Sequence, residues 1–156
     1  MPDTFDKPTR SRVMASIKGK NTKSEMLIRK GLHFLGFRYR LHNSKLPGSP
    51  DLVFAKHRAV IFVNGCFWHG HDCHIFHWPK TRIEFWQNKI ERNRQRDIKT
   101  IIAYRRMYWK TLIIWECSLV GKTRRNWNEV IHTTANWLLY DSQSAEISGK
   151  NKPINI

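Results

Sequence analysis

The stretch Asn64-Gly-Cys-Phe-Trp-His-Gly-His-Asp-Cys-His74 crowds two thiols, three imidazoles and an adjacent pair of aromatic rings into eleven residues. It directly follows the apolar run Ala59 to Val63, which reads as a buried strand. Cys and His this close together supply soft sulfur and nitrogen ligands. The one remaining cysteine, Cys117, follows a second strand-like run, Thr111 to Glu116. A four-ligand zinc site would therefore tie two strand ends together. Spacing leaves its histidine open, because His69, His71 and His74 all qualify. The competing reading, small core cysteines among solvated histidines, accounts less well for the clustering. With all four positions filled by protein such a zinc is structural. A zinc deaminase is disfavoured, since its His-x-Glu followed by Pro-Cys-x-x-Cys is absent.

Immediately upstream, Asp51 to Ala55 and Arg58 to Val63 read as strands joined by a tight turn, hence antiparallel neighbours. That pairing brings Asp51 close to Val63 and Asn64, at a corner bordering the Cys/His loop. A carboxylate at a strand start can hold a hard cation such as Mg²⁺ against a phosphate, although a Pro-Asp step by itself more often caps a turn. Glu25 and His69 could approach the same corner, and a metal, a carboxylate and a histidine base suffice for phosphodiester hydrolysis.

Further out, Thr22-x-x-Glu25 is a capping box opening a helix with Leu27, Ile28, Gly31, Leu32 and Leu35 on one face and Gly36 as a stop. Phe37 to Leu41 alternates as a half-buried strand does. A second box, Thr81-x-x-Glu84, opens a long helix running to about Arg106. At 100° per residue Arg82, Trp86, Lys89, Asn93 and Asp97 fall within an arc of roughly 80°, beside an apolar arc of Ile83, Ile90, Ile98 and Ile101. A last helix spans Trp127 to Tyr140, and the polar residues after Asp141 read as a loose tail. The order of elements describes one α/β domain, a small mixed sheet flanked by helices. Its expected divisions are a basic arm or helix over residues 1–20, a central domain over 21–140 and a tail over 141–156.

Lysine and arginine number 28 against 12 acids, a net charge of +16 over 156 residues, which points to a polyanionic partner and first to nucleic acid. The arm carries Val13, Met14 and Ile17 at helical spacing among Arg10, Arg12, Lys18 and Lys20. No apolar run reaches the ~20 residues of a membrane span. Three cysteines cannot all pair, so ligation in a reducing compartment is more natural than a disulfide framework, and no secretion signal is evident. The expected location is cytoplasmic. Phe67, Trp68 and Trp86 taken singly read as core; together beside a basic groove they could stack on bases, each for about 1–3 kcal/mol.

The motifs Thr9-Arg-Ser, Leu46-Pro-Gly-x-Pro-Asp51, Gly65-Cys-Phe-Trp-His-x-His-x-Cys73, Pro79-x-Thr-Arg-x-Glu-Phe-Trp86, Lys89-Ile-x-x-Asn93-x-x-Arg-Asp97 and Trp115-Glu-Cys117 occur in the order seen in one family. Through them the chain resembles the very-short-patch repair endonucleases, bacterial enzymes that nick DNA beside a T:G mismatch. The resemblance implies a restriction-endonuclease-like fold and a structural zinc on Cys66, His71, Cys73 and Cys117. It implies Asp51 and the Val63 backbone carbonyl as Mg²⁺ ligands, His69 as base, Asp97 as its partner, and Glu25 near the metal waters. It further implies DNA contacts by Phe67, Trp68, Trp86, Lys89, Asn93 and Met14. The expected substrate is double-stranded DNA carrying a T:G mismatch, cut by a monomer 5′ of the thymine to repair deaminated 5-methylcytosine, with other mismatch-repair proteins as partners. Asn64 stands where the family carries a histidine, and Val63 where it carries a threonine. The histidine's absence motivates the alternative of a zinc-stabilised DNA-binding module that has lost catalysis.

Overall fold

The computed structural model describes residues 6–9 and 22–154. Most of the basic arm, Met14 included, lies outside the described residues. Thr22 caps helix α1 (Lys23–Phe34), accepting from the Glu25 N–H, and the chain leaves the helix through Leu35 and Gly36. Strands β1 (Arg40–Leu41), β2 (Leu52–Phe54) and β3 (Ala59–Asn64) follow, then the long helix α2 (Ile83–Arg106), β4 (Lys110–Trp115), α3 (Trp127–Tyr140) and β5 (Ala145–Ile147).

The sheet runs in the order β1-β2-β3-β4-β5. β1, β2 and β3 are antiparallel neighbours, with Leu52 opposite Ile61 and Phe54 opposite Ala59; β3, β4 and β5 are parallel, with Asn64 opposite Trp115. The expected antiparallel pair is therefore present. The parallel pairs require crossovers, which α2 and α3 supply. Period-two alternation divides each strand between the faces. Leu52, Phe54, Ile61, Leu112 and Ile114 pack with Ile28 and Leu32 of α1 and Val130, Trp137 and Leu138 of α3. Val60, Phe62, Ile113 and Trp115 lie on the other face, where Ile101 and Tyr104 of α2 join them. Each fully buried aliphatic side chain contributes about 1.5–3 kcal/mol.

Four sequence expectations are corrected. The strand expected over 37–41 is only Arg40–Leu41, because Phe37 and Tyr39 turn onto the core as a loop would. α2 has no capping box at Thr81: its N-cap is Arg82 in the left-handed conformation, with no side-chain cap bond. Ile83 and Ile98 of the expected apolar arc are 51% and 58% exposed; the buried residues of α2 are Ile90 and Tyr104. Finally, the run after Asp141 is not a loose tail. Ala145 and Ile147 are buried in β5 beside β4, a short parallel edge strand whose sequence carries too few apolar residues to announce it.

Lys110 fixes the end of α3. Its buried Nζ donates to the carbonyls of Trp137, Leu138 and Asp141 at 2.7, 3.0 and 2.5 Å, satisfying acceptors that a helix C-terminus leaves open. Burial holds the Lys110 ammonium below its usual range, and Asp141 pulls the other way.

Candidate active site

The loop leaving β3 serves two sites at once. Gly70 separates His69 from His71 and has a φ of +59; a Cβ there would come within 2.6 Å of Ile90 Cγ2 and 2.7 Å of the Arg94 guanidinium. Only glycine permits this turn against α2, and Arg94 anchors it by donating to the Gly70 carbonyl. The two imidazoles consequently face different neighbourhoods.

His71 faces the sulfur cluster. One ligand atom from each of Cys66, His71, Cys73 and Cys117 lies within 4.8 Å of all the others. Tetrahedral zinc, with bonds of about 2.3 Å to sulfur and 2.0–2.1 Å to nitrogen, requires ligand atoms separated by roughly 3.5–4 Å, so the donor set fits. Cys117 Sγ and His71 Nδ1 are already 3.6 Å apart. His71 Nε2 meets Ser148 Oγ at 3.2 Å, and the ring stacks on Trp115 at 4.1 Å and 11°. Donation from Nε2 to the serine leaves Nδ1 as the lone-pair atom aimed at the cluster. A hydrogen bond from the Cys66 thiol pulls Cys117 down to about 4 against the effect of burial, with His71 assisting. The same bond and burial push the Cys66 thiol up. The cluster thus lies across the ends of β3 and β4, with Ser148 just beyond β5 closing it. Arg125 secures that last segment by donating to the carbonyls of Ser148, Gly149 and Lys152.

His69 faces the opposite way. Its Nδ1 lies 2.6 Å from Asp97 Oδ2 on α2. Both line an open cleft of about 1210 Å³ together with Asp51, Val63, Asn64, Phe67, Trp68, Trp86 and Arg96. The Asp51 carboxylate accepts from the Val63 N–H at 2.7 Å, the contact expected from the β2–β3 pairing. Burial pushes the Asp51 carboxyl up to about 7; the Val63 N–H opposes this and the neighbouring Glu25 adds to it. A divalent cation would relieve both burial and repulsion, so this corner also has the donor chemistry of a metal site. Glu25, His42 and Asp51 each place a ligand-capable atom within 4.8 Å of the other two. Glu25 is buried behind Asp51, bonded to His42 at 2.7 Å and to Arg29 at 3.4 Å.

The polar stripe of α2 closes the cleft. Trp86 packs with Phe67 and Trp68 at ring separations of 5.3 and 5.9 Å, and Phe67 and Trp68 are themselves 5.2 Å apart. Lys89 Nζ sits 5.8 Å from the Trp68 ring, and Asn93 donates to the Trp68 carbonyl at 2.8 Å. Helical arithmetic alone puts Trp86, Lys89 and Asn93 on one stripe with Asp97. It missed His42, Ser148 and Glu116, whose carboxylate accepts from the Cys66 N–H at 3.2 Å. His42 and Ser148 lie outside any motif, Glu116 sits inside Trp115-Glu-Cys117 with nothing local to pair it, and only the tertiary fold gives each its partner.

A family model described as DNA mismatch endonuclease Vsr matches residues 2–75. The DNA mismatch endonuclease Vsr of Escherichia coli is 38% identical over 147 residues, 94% of each chain. The type II nicking enzyme V.XorIIP of Xanthomonas oryzae is 44% identical over 119 residues, 76% of this chain and 88% of its own. The enzyme V.NmeAIP of Neisseria meningitidis, also a type II nicking enzyme, is 44% identical over 122 residues, 78% of this chain and 87% of its own. Likeness of this extent, falling on a chain that pairs a histidine–aspartate dyad with a Cys/His cluster, establishes that the protein belongs to the Vsr family of DNA mismatch endonucleases.

Proposed function

We propose that this protein nicks one strand of duplex DNA 5′ of the thymine in a T:G mismatch, in a Mg²⁺-dependent hydrolysis, and so initiates repair of deaminated 5-methylcytosine. The observation that carries the reading is the 2.6 Å His69–Asp97 pair opening onto the same cleft as Asp51. In this reading the five-stranded sheet with helices on both faces is a restriction-endonuclease-like core.

Asp97 holds the His69 imidazole with its proton on Nδ1, which leaves Nε2 free to accept a proton from water. As the water oxygen bonds to phosphorus, Nε2 takes its proton, the P–O bond to the leaving sugar oxygen breaks, and that oxygen takes a proton from solvent. Asp51 and the Val63 carbonyl would hold Mg²⁺, which when bound supplies positive charge to the phosphate oxygens. Glu25 stands behind Asp51 and would order water about a bound cation. Cys66, His71, Cys73 and Cys117 would hold Zn²⁺ as a staple, outside the reaction. Phe67, Trp68 and Trp86 enter the distorted duplex, Lys89 and Asn93 contact the mispaired bases, and Met14 reaches the minor groove. A wobble pair resists unstacking less than a Watson–Crick pair, which gives the preference for mismatches. The net charge of +16 supplies sequence-independent phosphate affinity. The chain acts as a monomer in the cytoplasm, alongside other mismatch-repair proteins. No helix among the described residues is long and apolar enough to cross a membrane.

Asn64, 8% exposed beside the cleft, is the one residue that favours a binding module without catalysis. Binding and cutting measured on the same labelled T:G and T:A duplexes separate the readings. An endonuclease cuts the T:G duplex when Mg²⁺ is added; tight binding with no cut under any divalent cation would leave the module.

A further inference from the structure

His42 has no part in the mechanism above, yet the fold constrains it from two sides. It follows β1 with a φ of +47, left-handed backbone that non-glycine residues adopt at a cost, though His, Asn and Asp enter it more readily than most. Such strain persists where surrounding contacts over-determine the residue. Its backbone N–H donates to the Asp51 carbonyl at 3.2 Å, and its Nε2 lies 2.7 Å from Glu25 Oε1. The two side chains are only 14% and 2% exposed. One residue therefore fixes both Asp51, just ahead of β2, and the carboxylate packed behind it.

Glu25 has a competing partner. Its other oxygen lies 3.4 Å from Arg29 Nη1 on the next turn of α1. Arginine at that spacing draws the carboxylate along the helix, whereas the imidazole draws it toward Asp51. Two carboxylates packed side by side repel each other once both are ionised, so a partner that aligns Glu25 with Asp51 shapes the corner a cation enters.

We propose that His42 is a positioning residue: its imidazole holds the Glu25 carboxylate against Asp51 and so shapes the corner that receives the divalent cation. The inference deepens the proposed function, since it rests on Asp51 holding that cation. In this assignment His42 acts on the cation through Glu25 rather than as a ligand itself.

Two substitutions separate positioning from simple folding. His42→Asn suits the left-handed backbone but is too short to reach Glu25; His42→Gln can reach it with an amide N–H. Mn²⁺ binding to the full-length zinc-loaded protein, followed by the electron paramagnetic resonance of free Mn²⁺, is compared with the Mg²⁺ concentration giving half-maximal nicking of a T:G duplex. His42→Asn is expected to weaken Mn²⁺ binding and raise the half-saturating Mg²⁺ by about tenfold, with zinc content and the rate at saturating Mg²⁺ retained. His42→Gln is expected to stay within about threefold of the parent. Adding His42→Asn to Glu25→Gln is expected to change Mn²⁺ affinity little further, a comparison internal to each background that holds even where stability falls. Unchanged Mn²⁺ and Mg²⁺ dependence in His42→Asn, or fully additive losses in the double variant, overturns the proposal. A parent protein that binds Mn²⁺ but never nicks overturns the reaction instead, and the Mn²⁺ comparison still decides the role of His42.

Discussion

His69 Nδ1 and Asp97 Oδ2 are 2.6 Å apart although 28 residues separate them in the chain. The contact joins the loop leaving β3 to the middle of α2, and it fixes which ring nitrogen faces the cleft. Removing the imidazole in His69→Ala is expected to slow nicking by about 10²- to 10⁴-fold, the usual contribution of a general base. Asp97→Asn should also slow it strongly, because an amide can donate to Nδ1 and favour the wrong tautomer. Single-turnover rates, together with metal analysis, check both. Zinc lost from either variant would show that the two histidines of the loop are not divided as described.

Ser148 Oγ meets His71 Nε2, and the ring's other nitrogen faces the sulfur cluster. Cys117→Ala is expected to empty the cluster or unfold the protein, since structural zinc contributes folding free energy directly. Ser148→Ala should be milder, lowering zinc affinity about 10- to 100-fold while leaving the metal-loaded fold intact. Competition against a chromophoric chelator measures both, and equal affinity in the Ser148 variant would remove the serine from the account.

Trp86 meets both Phe67 and Trp68 in a cluster at the cleft. If these rings wedge a weak pair, Trp86→Ala should cost about 1–3 kcal/mol of affinity for a T:G duplex. The loss on a fully paired T:A duplex should be smaller. Equal losses on the two duplexes would assign Trp86 to packing alone.

With its carboxyl near 7 against an ordinary 3.8, Asp51 takes up a proton on folding within that window. The folded state then binds more protons than the unfolded one, so stability falls as pH rises from about 4 to 7. Zinc-loaded protein without other divalent cations should therefore lose stability along this range, and Asp51→Asn should show a weaker dependence. Added Mg²⁺ should restore stability at the upper end. Denaturant unfolding at several pH values tests this, and parallel curves for parent and variant would refute it.

Much of the site was legible in the sequence because its residues sit on periodic elements. Trp86, Lys89, Asn93 and Asp97 share a helical face whatever the helix packs on, and a tight turn between β2 and β3 required Asp51 to approach Val63. What escaped depends on long-range contacts. The Arg82 cap, the exposure of Ile83 and Ile98, and β5 are set by how α2 and the C-terminal segment settle on the sheet. His42 lies 17 residues from Glu25, and Ser148 lies 77 from His71, so no local pattern could have paired them.

The most direct measurement is the position of the cut. A T:G duplex labelled in turn on each strand, incubated with Mg²⁺ and resolved at single-nucleotide length, is expected to give one product, from a break immediately 5′ of the thymine. The guanine strand should stay whole. Breaks in both strands, a break elsewhere, or an intact duplex with every divalent cation would contradict the assignment of Asp51, His69 and Asp97 to a strand-specific mismatch nuclease.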